Sequence, residues 1–318
     1  MKILIDIGHP AHVHYFRNFI KIMEQKGHSF LVTAREKDVT LGLLDKFGIK
    51  YINRGKGYKG LIRKAFYMLK ADFLIYKLAK KFNPDIFLSF SSPYAAQVAK
   101  LMNIPHIAYN DTEAATLGIL SFLPFTKVVI TPRCYSKDLG KKQLRFNGLM
   151  ELTYLHPSYY TPDNSIFEIL SIKKDEPYSI VRFVSWEASH DIGEQGISDN
   201  FKKKIINELS KHSRVFITSE AELTSEFKQY QISIPPDKMH DALAYAVIYI
   251  GESPTMTTES ALLGTPSICV SSWACDCGNF QDLKKYDMIY CYRPQEENKI
   301  FDKITSLITA KNIKKSGD

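Results

Sequence analysis

The chain has 318 residues, 45% of them hydrophobic, with 42 Lys and Arg against 34 Asp and Glu. A length beyond roughly 250–300 residues favours two cores over one, and the composition excludes a disordered chain or a repeat array. The net charge of +8 is uneven: residues 1–150 hold 24 Lys and Arg and 10 Asp and Glu, while residues 151–318 hold 18 and 24, so the basic half is expected to face something anionic.

Lys2–Ile7 is a short apolar run that reads as a buried strand. Broken by Asp6, it is too short for a secretory leader, and no later stretch reaches the roughly 20 apolar residues of a membrane span. Five scattered cysteines, Cys134, Cys269, Cys275, Cys277 and Cys291, read as reduced thiols in a cytoplasmic protein. No second Cys or His pair follows Cys275-Asp276-Cys277 at ligand spacing, so no metal site is expected.

Gly8-His9-Pro10-Ala11-His12-Val13-His14 follows the first strand and opens a helix over Val13–Gln25, closed by Gly27. This is where a doubly wound sheet places ligand contacts. His9, His12 and His14 are candidates for a general base or for donors to phosphate. The plainer account is that one or two cap the helix or fill the core. Phe30–Thr33 reads as a strand and Asp38–Phe47 as a helix.

Residues 54–82 hold nine Lys or Arg and one acid, Asp72. Ile62, Phe66, Leu69, Phe73 and Tyr76 recur at helical spacing, with Arg63, Lys64, Lys70 and Lys77 beside them. Two accounts fit: an interfacial helix on an anionic membrane surface, or a stripe packed on the sheet under a solvated basic face.

Asp85–Phe90, Ile104–Tyr109 and Lys127–Thr131 read as further buried strands, with a helix at Tyr94–Met102. Strands alternating with helices imply right-handed crossovers and a parallel sheet. Asn110-Asp111-Thr112-Glu113-Ala114 puts two carboxylates, Asp111 and Glu113, at a strand's carboxyl end. They are candidate catalytic acids or bases, with helix capping by Asp111 as the alternative.

An N-terminal domain over 1–150, a linker over 151–176 rich in Pro and polar residues, and a C-terminal domain over 177–318 follow from the restart of the pattern. Ser179–Val184, Arg214–Thr218, Val247–Ile250 and Ser267–Val270 read as strands; Asp199–Lys211, Lys238–Ala246, Thr257–Leu263 and Gln295–Ala310 read as helices. After the first of these strands, Arg182 and His190 are candidate diphosphate contacts, and Trp186 a surface for a base or sugar.

Gly251-Glu252-Ser253-Pro254-Thr255-Met256-Thr257-Thr258-Glu259 runs from a strand into a helix, and Gly264-Thr265-Pro266 turns into the next strand. A hydroxyl-rich loop at a helix N-terminus favours a phosphate, and Glu259 can accept from a ribose diol. Capping Ser and Thr with an early Glu explain the same residues without a ligand.

This segment resembles the donor loop of MurG-type GT-B glycosyltransferases and of non-hydrolysing UDP-N-acetylglucosamine 2-epimerases. Lys238-Met239-His240-Asp241-Ala242-Leu243-Ala244 resembles the helix before that loop. From Asp6-Ile7-Gly8-His9-Pro10 to Gly264-Thr265-Pro266 the chain is similar to the DUF354 group of GT-B-like proteins, which implies a fold and no reaction.

The resemblance implies two Rossmann-like doubly wound α/β domains facing across a cleft. It implies nucleotide-sugar binding by Gly251, Ser253, Thr257, Thr258 and Glu259 of the loop and by His240 of the helix before it, beside the diphosphate contacts offered by Arg182 and His190. The MurG-like glycine-rich loop is reduced here to Gly8. Glu113-Ala114 is similar to the centre of the epimerase His-x-Glu-Ala-Gly motif, yet the acid those enzymes carry after the preceding strand is replaced by Ser89-Phe90-Ser91-Ser92. No Asp-x-Asp occurs.

The expectation is a metal-independent glycosyltransferase without a cofactor, taking a UDP-linked donor and a glycan or lipid-linked acceptor. A UDP-sugar 2-epimerase or hydrolase is the second reading, and a non-enzymatic nucleic-acid or anionic-surface binder the third. No nucleic-acid motif supports a nucleic-acid partner.

Overall fold

The computed structural model describes residues 1–58, 60–183, 196–219 and 223–315. It divides into two compact units, Met1–Tyr159 and Tyr160–Asp318.

In the first unit, strands and helices alternate in the order β1 (Lys2–Ile7), α1 (Pro10–Gln25), β2 (Ser29–Glu36), α2 (Thr40–Lys46), β3 (Ile52–Lys56), α3 (Leu61–Phe82), β4 (Ile86–Phe90), α4 (Pro93–Leu101), β5 (His106–Tyr109), α5 (Thr116–Phe122), β6 (Val128–Pro132), β7 (Gln143–Phe146) and α6 (Leu152–Leu155). The seven strands form one sheet in the order β3-β2-β1-β4-β5-β6-β7, and every pairing is parallel. Chain order reverses direction between β1 and β4, which makes that junction a switch point. Leu4 and Phe87 pack against Ile75 and Ala79 of α3 and Val98 of α4 on one face.

The second unit runs α7 (Ile166–Ile169), β8 (Tyr178–Phe183), α8 (Asp199–Ser210), β9 (Arg214–Ser219), α9 (Met239–Tyr245), β10 (Ile248–Gly251), α10 (Pro254–Leu262), β11 (Ser267–Val270), α11 (Gly278–Leu283), β12 (Ile289–Tyr292) and α12 (Glu297–Lys315). Its sheet is β12-β11-β10-β8-β9, again all parallel, with a switch point between β8 and β10. Val181, Ile250 and Ile268 pack under Ile205 of α8 and Ile304 of α12, while Tyr178 and Tyr249 pack on the opposite side with Phe167 and Leu243.

Three helices start by a shared device. His9, Ser92 and Ser253 each cap a helix whose next residue is Pro10, Pro93 or Pro254. Proline at the first helical position carries the right φ and removes an amide that has no partner there.

Two expectations are corrected. Cys275 and Cys291 are joined in a disulfide, with Cα atoms 5.3 Å apart, so the thiols are not all reduced; Cys134, Cys269 and Cys277 are free. Most of the described part of the α3 stripe turns away from the sheet, and only Tyr76 of it packs against the core. Phe66, Leu69 and Phe73 are exposed, and Tyr67, Ala71, Ile75 and Ala79 make the buried face instead. Among the described residues no helix is long and apolar enough to cross a membrane.

Candidate functional site

At the switch point of the first sheet, β1 ends in a buried acid. Asp6 is fully buried and accepts from Thr33 Oγ1 at 2.8 Å, Arg54 Nε at 2.9 Å, Arg54 Nη2 at 3.2 Å and Ser92 Oγ at 2.5 Å. Burial works against the Arg54 cation, but Asp6 holds its pKa above the ordinary value. Asp6 on β1 and its three partners on β2, on β3 and just after β4 tie the carboxyl ends of four strands together. The visible signal was an aspartate inside an apolar strand; nothing in the sequence marked Arg54 as its partner.

His9 and His12 stand over this edge, their ring centroids 5.8 Å apart. His9 caps α1 by accepting from the Ala11 amide at Nδ1 (3.2 Å), and His12 Nδ1 accepts from the Gly8 amide (3.2 Å). Burial, then Lys37 and Arg35, lowers His9 to about 3; burial, then His9, Lys37 and Arg54, puts His12 well below the ordinary value. Both rings are therefore neutral at neutral pH. A neutral ring whose Nδ1 accepts a backbone N–H carries its proton on Nε2. Each of these histidines thus offers an N–H donor and no basic lone pair. His14 is turned elsewhere: it is buried, with its ring against Phe47 and Tyr154.

Asp111 lies in the same neighbourhood. His12 stacks on Tyr15, and the Tyr15 hydroxyl donates to Asp111 Oδ2 at 3.5 Å; Thr112 Oγ1 donates to Oδ1 at 2.9 Å. Burial, with Glu113 adding repulsion, pushes the Asp111 carboxyl up to about 6 despite the hydrogen bonds from Thr112 and Tyr15. A carboxylate poised there can take a proton near neutral pH. Glu113 is buried and accepts from the Ser136 amide at 3.0 Å, so it anchors the loop after β6. The serines at the end of β4 and just after it are committed: Ser89 bonds His106 at 2.9 Å, Ser91 receives from Asn110 at 2.8 Å, and Ser92 donates to Asp6.

At the switch point of the second sheet, Gly251 ends β10 opposite Arg182 of β8. A Cβ on Gly251 would lie 2.5 Å from the Tyr249 hydroxyl and 2.9 Å from Arg182 Cβ, so close packing demands glycine there. Ser253 caps α10 by accepting from the Met256 amide at 3.5 Å, and its carbonyl accepts from the Thr257 amide at 3.0 Å and the Thr257 hydroxyl at 2.8 Å. Pro254 has no N–H, so α10 can offer an anion fewer first-turn amides than the sequence suggested.

Thr257 and Thr258 are fully buried, the first bonded to its own helix start. Glu259 is buried in the second turn of α10, which starts at Pro254, and not in its first turn as the sequence suggested; His240 of α9 donates to its Oε1 from Nε2 at 3.0 Å. His240 therefore holds the Glu259 carboxylate in place. His190 and Trp186 lie outside the described residues. Among the described residues no group of three or more His, Cys, Asp and Glu stands where it can hold a metal ion.

Two parallel-sheet α/β units, each with side chains gathered at a switch point, define a GT-B fold, and solved structures share it. UDP-GlcNAc 2-epimerase from Methanocaldococcus jannaschii matches with a TM-score of 0.66 at 12% identity, over 96% of this chain and 92% of that one. The Neisseria meningitidis UDP-GlcNAc 2-epimerase bound to UDP-GlcNAc matches at 0.65 and 13%, over 98% and 93%. Acinetobacter baumannii MurG matches at 0.60 and 16%, over 97% and 91%. These neighbours include both glycosyltransferases and epimerases.

The chain belongs to the DUF354 family, "Protein of unknown function (DUF354)", which matches residues 1–317. A curated relative, uncharacterized protein MJ0665 of Methanocaldococcus jannaschii, is 26% identical over 279 residues, covering 84% of this chain and 81% of its own length.

Proposed function

We propose that the protein is a glycosyltransferase that moves a sugar from a nucleotide-linked donor, UDP-linked by analogy with its structural neighbours, to a hydroxyl of a glycan or lipid-linked acceptor. The second unit holds the donor. Glu259, positioned by His240, accepts from the ribose hydroxyls, while Arg182, Ser253 and the α10 N-terminus meet the diphosphate. Thr257 and Thr258 shape the helix start behind it, and Gly251 lets Arg182 approach.

The first unit holds the acceptor. Asp111 removes the proton of the attacking hydroxyl as its oxygen bonds to the anomeric carbon and the bond to the leaving diphosphate breaks. His9 and His12 donate hydrogen bonds to acceptor oxygens from Nε2. His14 and Glu113 support the site from the core. With no Asp-x-Asp in the chain, protein donors carry the charge of the leaving group.

The observation that favours transfer over epimerisation is the end of β4. Epimerisation withdraws and returns a proton on the sugar and needs acid and base groups there. The residues at this place are serines already engaged by His106, Asn110 and Asp6. The test is incubation with UDP-, GDP- and CMP-sugars, with binding, hydrolysis and epimer formation read separately. Nucleotide release from one donor class without epimer supports transfer. A new epimer of the donor sugar establishes the second reading in its place.

A further inference from the structure

We propose that the outer face of α3, together with Leu101 of α4, docks on the surface of an anionic lipid bilayer. The proposal rests on this surface alone and not on the reaction assigned to the sites.

A helix lying on a sheet normally buries its larger apolar residues and exposes polar ones. On α3 the buried line is Tyr67, Ala71, Ile75 and Ala79, with two alanines in four, while Phe66, Leu69 and Phe73 are 67%, 65% and 71% exposed. The spacing of three and four residues puts these on one line. Leu101, 73% exposed, continues the patch, since Phe73 and Leu101 line one cavity of about 190 Å³ between α3 and α4. Apolar residues gathered on one solvent face mark an interaction site.

Charge selects the occupant. At about 100° per residue, Arg63, Lys70, Lys77 and Lys81 fall within a quarter turn of the Phe66–Phe73 line, and all four are exposed. The one acid of the helix, Asp72, sits to the side, and burial pushes its carboxyl up to about 7, so at neutral pH it offsets less than one of these four charges. A two-fold contact with a second copy would set the same basic rows against each other. A bilayer bearing anionic headgroups accepts the aromatic side chains at its interface and the basic row at its phosphates.

The experiment is co-sedimentation of the full chain with phosphatidylcholine vesicles containing increasing phosphatidylglycerol, at low and high salt. Bound protein is expected to rise with phosphatidylglycerol and fall with salt. Arg63→Gln/Lys70→Gln/Lys77→Gln should weaken binding about a hundred-fold, at roughly five-fold for each charge removed. Phe66→Ser/Phe73→Ser should weaken it about ten-fold or more. All five positions are exposed, so unchanged melting of both variants verifies their folding. Three results overturn the proposal: no sedimentation with anionic vesicles at low salt, variants that bind as well as the parent, or a stable dimer that Phe73→Ser dissociates.

Discussion

Asp111 carries opposite demands. Its folded pKa of about 6 stands above its ordinary 3.8. The folded state therefore binds more protons between those values, and stability falls as pH rises through that window. At neutral pH the carboxylate is a cost to the fold, and in the proposed reaction it is the base. Asp111→Asn is expected to melt higher than the parent at pH 7, with the advantage vanishing below the ordinary carboxylate pKa, and to lose most transfer activity. Parent turnover should climb as pH rises through about 6. A lower melting temperature for the variant at neutral pH, or a pH-independent rate, contradicts this account. At the other site, Glu259→Ala removes a charge-assisted hydrogen bond worth roughly 1.5–3 kcal/mol. UDP affinity by calorimetry should drop about ten- to a hundred-fold. His240→Ala should weaken UDP binding too, through loss of the 3.0 Å contact that orients the carboxylate. Equal affinity in both variants would remove Glu259 from the donor site.

At the scale of elements, the Asp6–Arg54 pair joins β1 to β3 across β2 and takes in Ser92 after β4. Arg54→Leu strands a buried carboxylate, and such breakage costs roughly 3–5 kcal/mol. Urea unfolding measures it; a loss below about 1 kcal/mol would mean that Asp6 is held by Thr33 and Ser92 alone. The same pair shows where sequence reading stops. β1 and β11 were legible to the residue because they are buried, short and apolar. β3 and β7 went unread: Ile52-Asn53-Arg54-Gly55-Lys56 and Gln143-Leu144-Arg145-Phe146 lie at the two edges of the sheet, where an apolar run is not required. On α3 the conspicuous large residues pointed to a stripe, while its packed face uses two alanines that periodicity weighs lightly. The candidate sites were legible as loops after strands, since in a parallel α/β sheet ligands are expected at the carboxyl ends of the strands. Their division of labour was not, because it depends on which ring nitrogen accepts a backbone amide and which carboxylate anchors a loop.

For the whole molecule, each unit closes a core of its own, so unfolding should proceed in two steps rather than one. A ligand that binds only the folded second unit raises that unit's transition by mass action. Calorimetry with and without UDP should show one transition moving and the other fixed. A single transition that shifts as a block would show the units unfolding together. Charge divides along the same line: Met1–Tyr159 holds 24 Lys and Arg and 11 Asp and Glu, a net of +13, and the remainder is net acidic.

The strand order also bears on how the chain acquires its shape during synthesis. β1 precedes all its partners and ends up central in its sheet, flanked by β2 and β4. Parallel neighbours cannot pair through a tight hairpin, so each must wait for a helix to be made between them, which slows folding and leaves edges open meanwhile. Here the waiting strand is the one that others join: β2 and β3 add on one flank, then β4 to β7 on the other, each beside a strand already in place. Growth outward from the first strand lets a nascent chain leaving the ribosome enlarge its sheet in the order its parts appear, without reopening a pairing already formed.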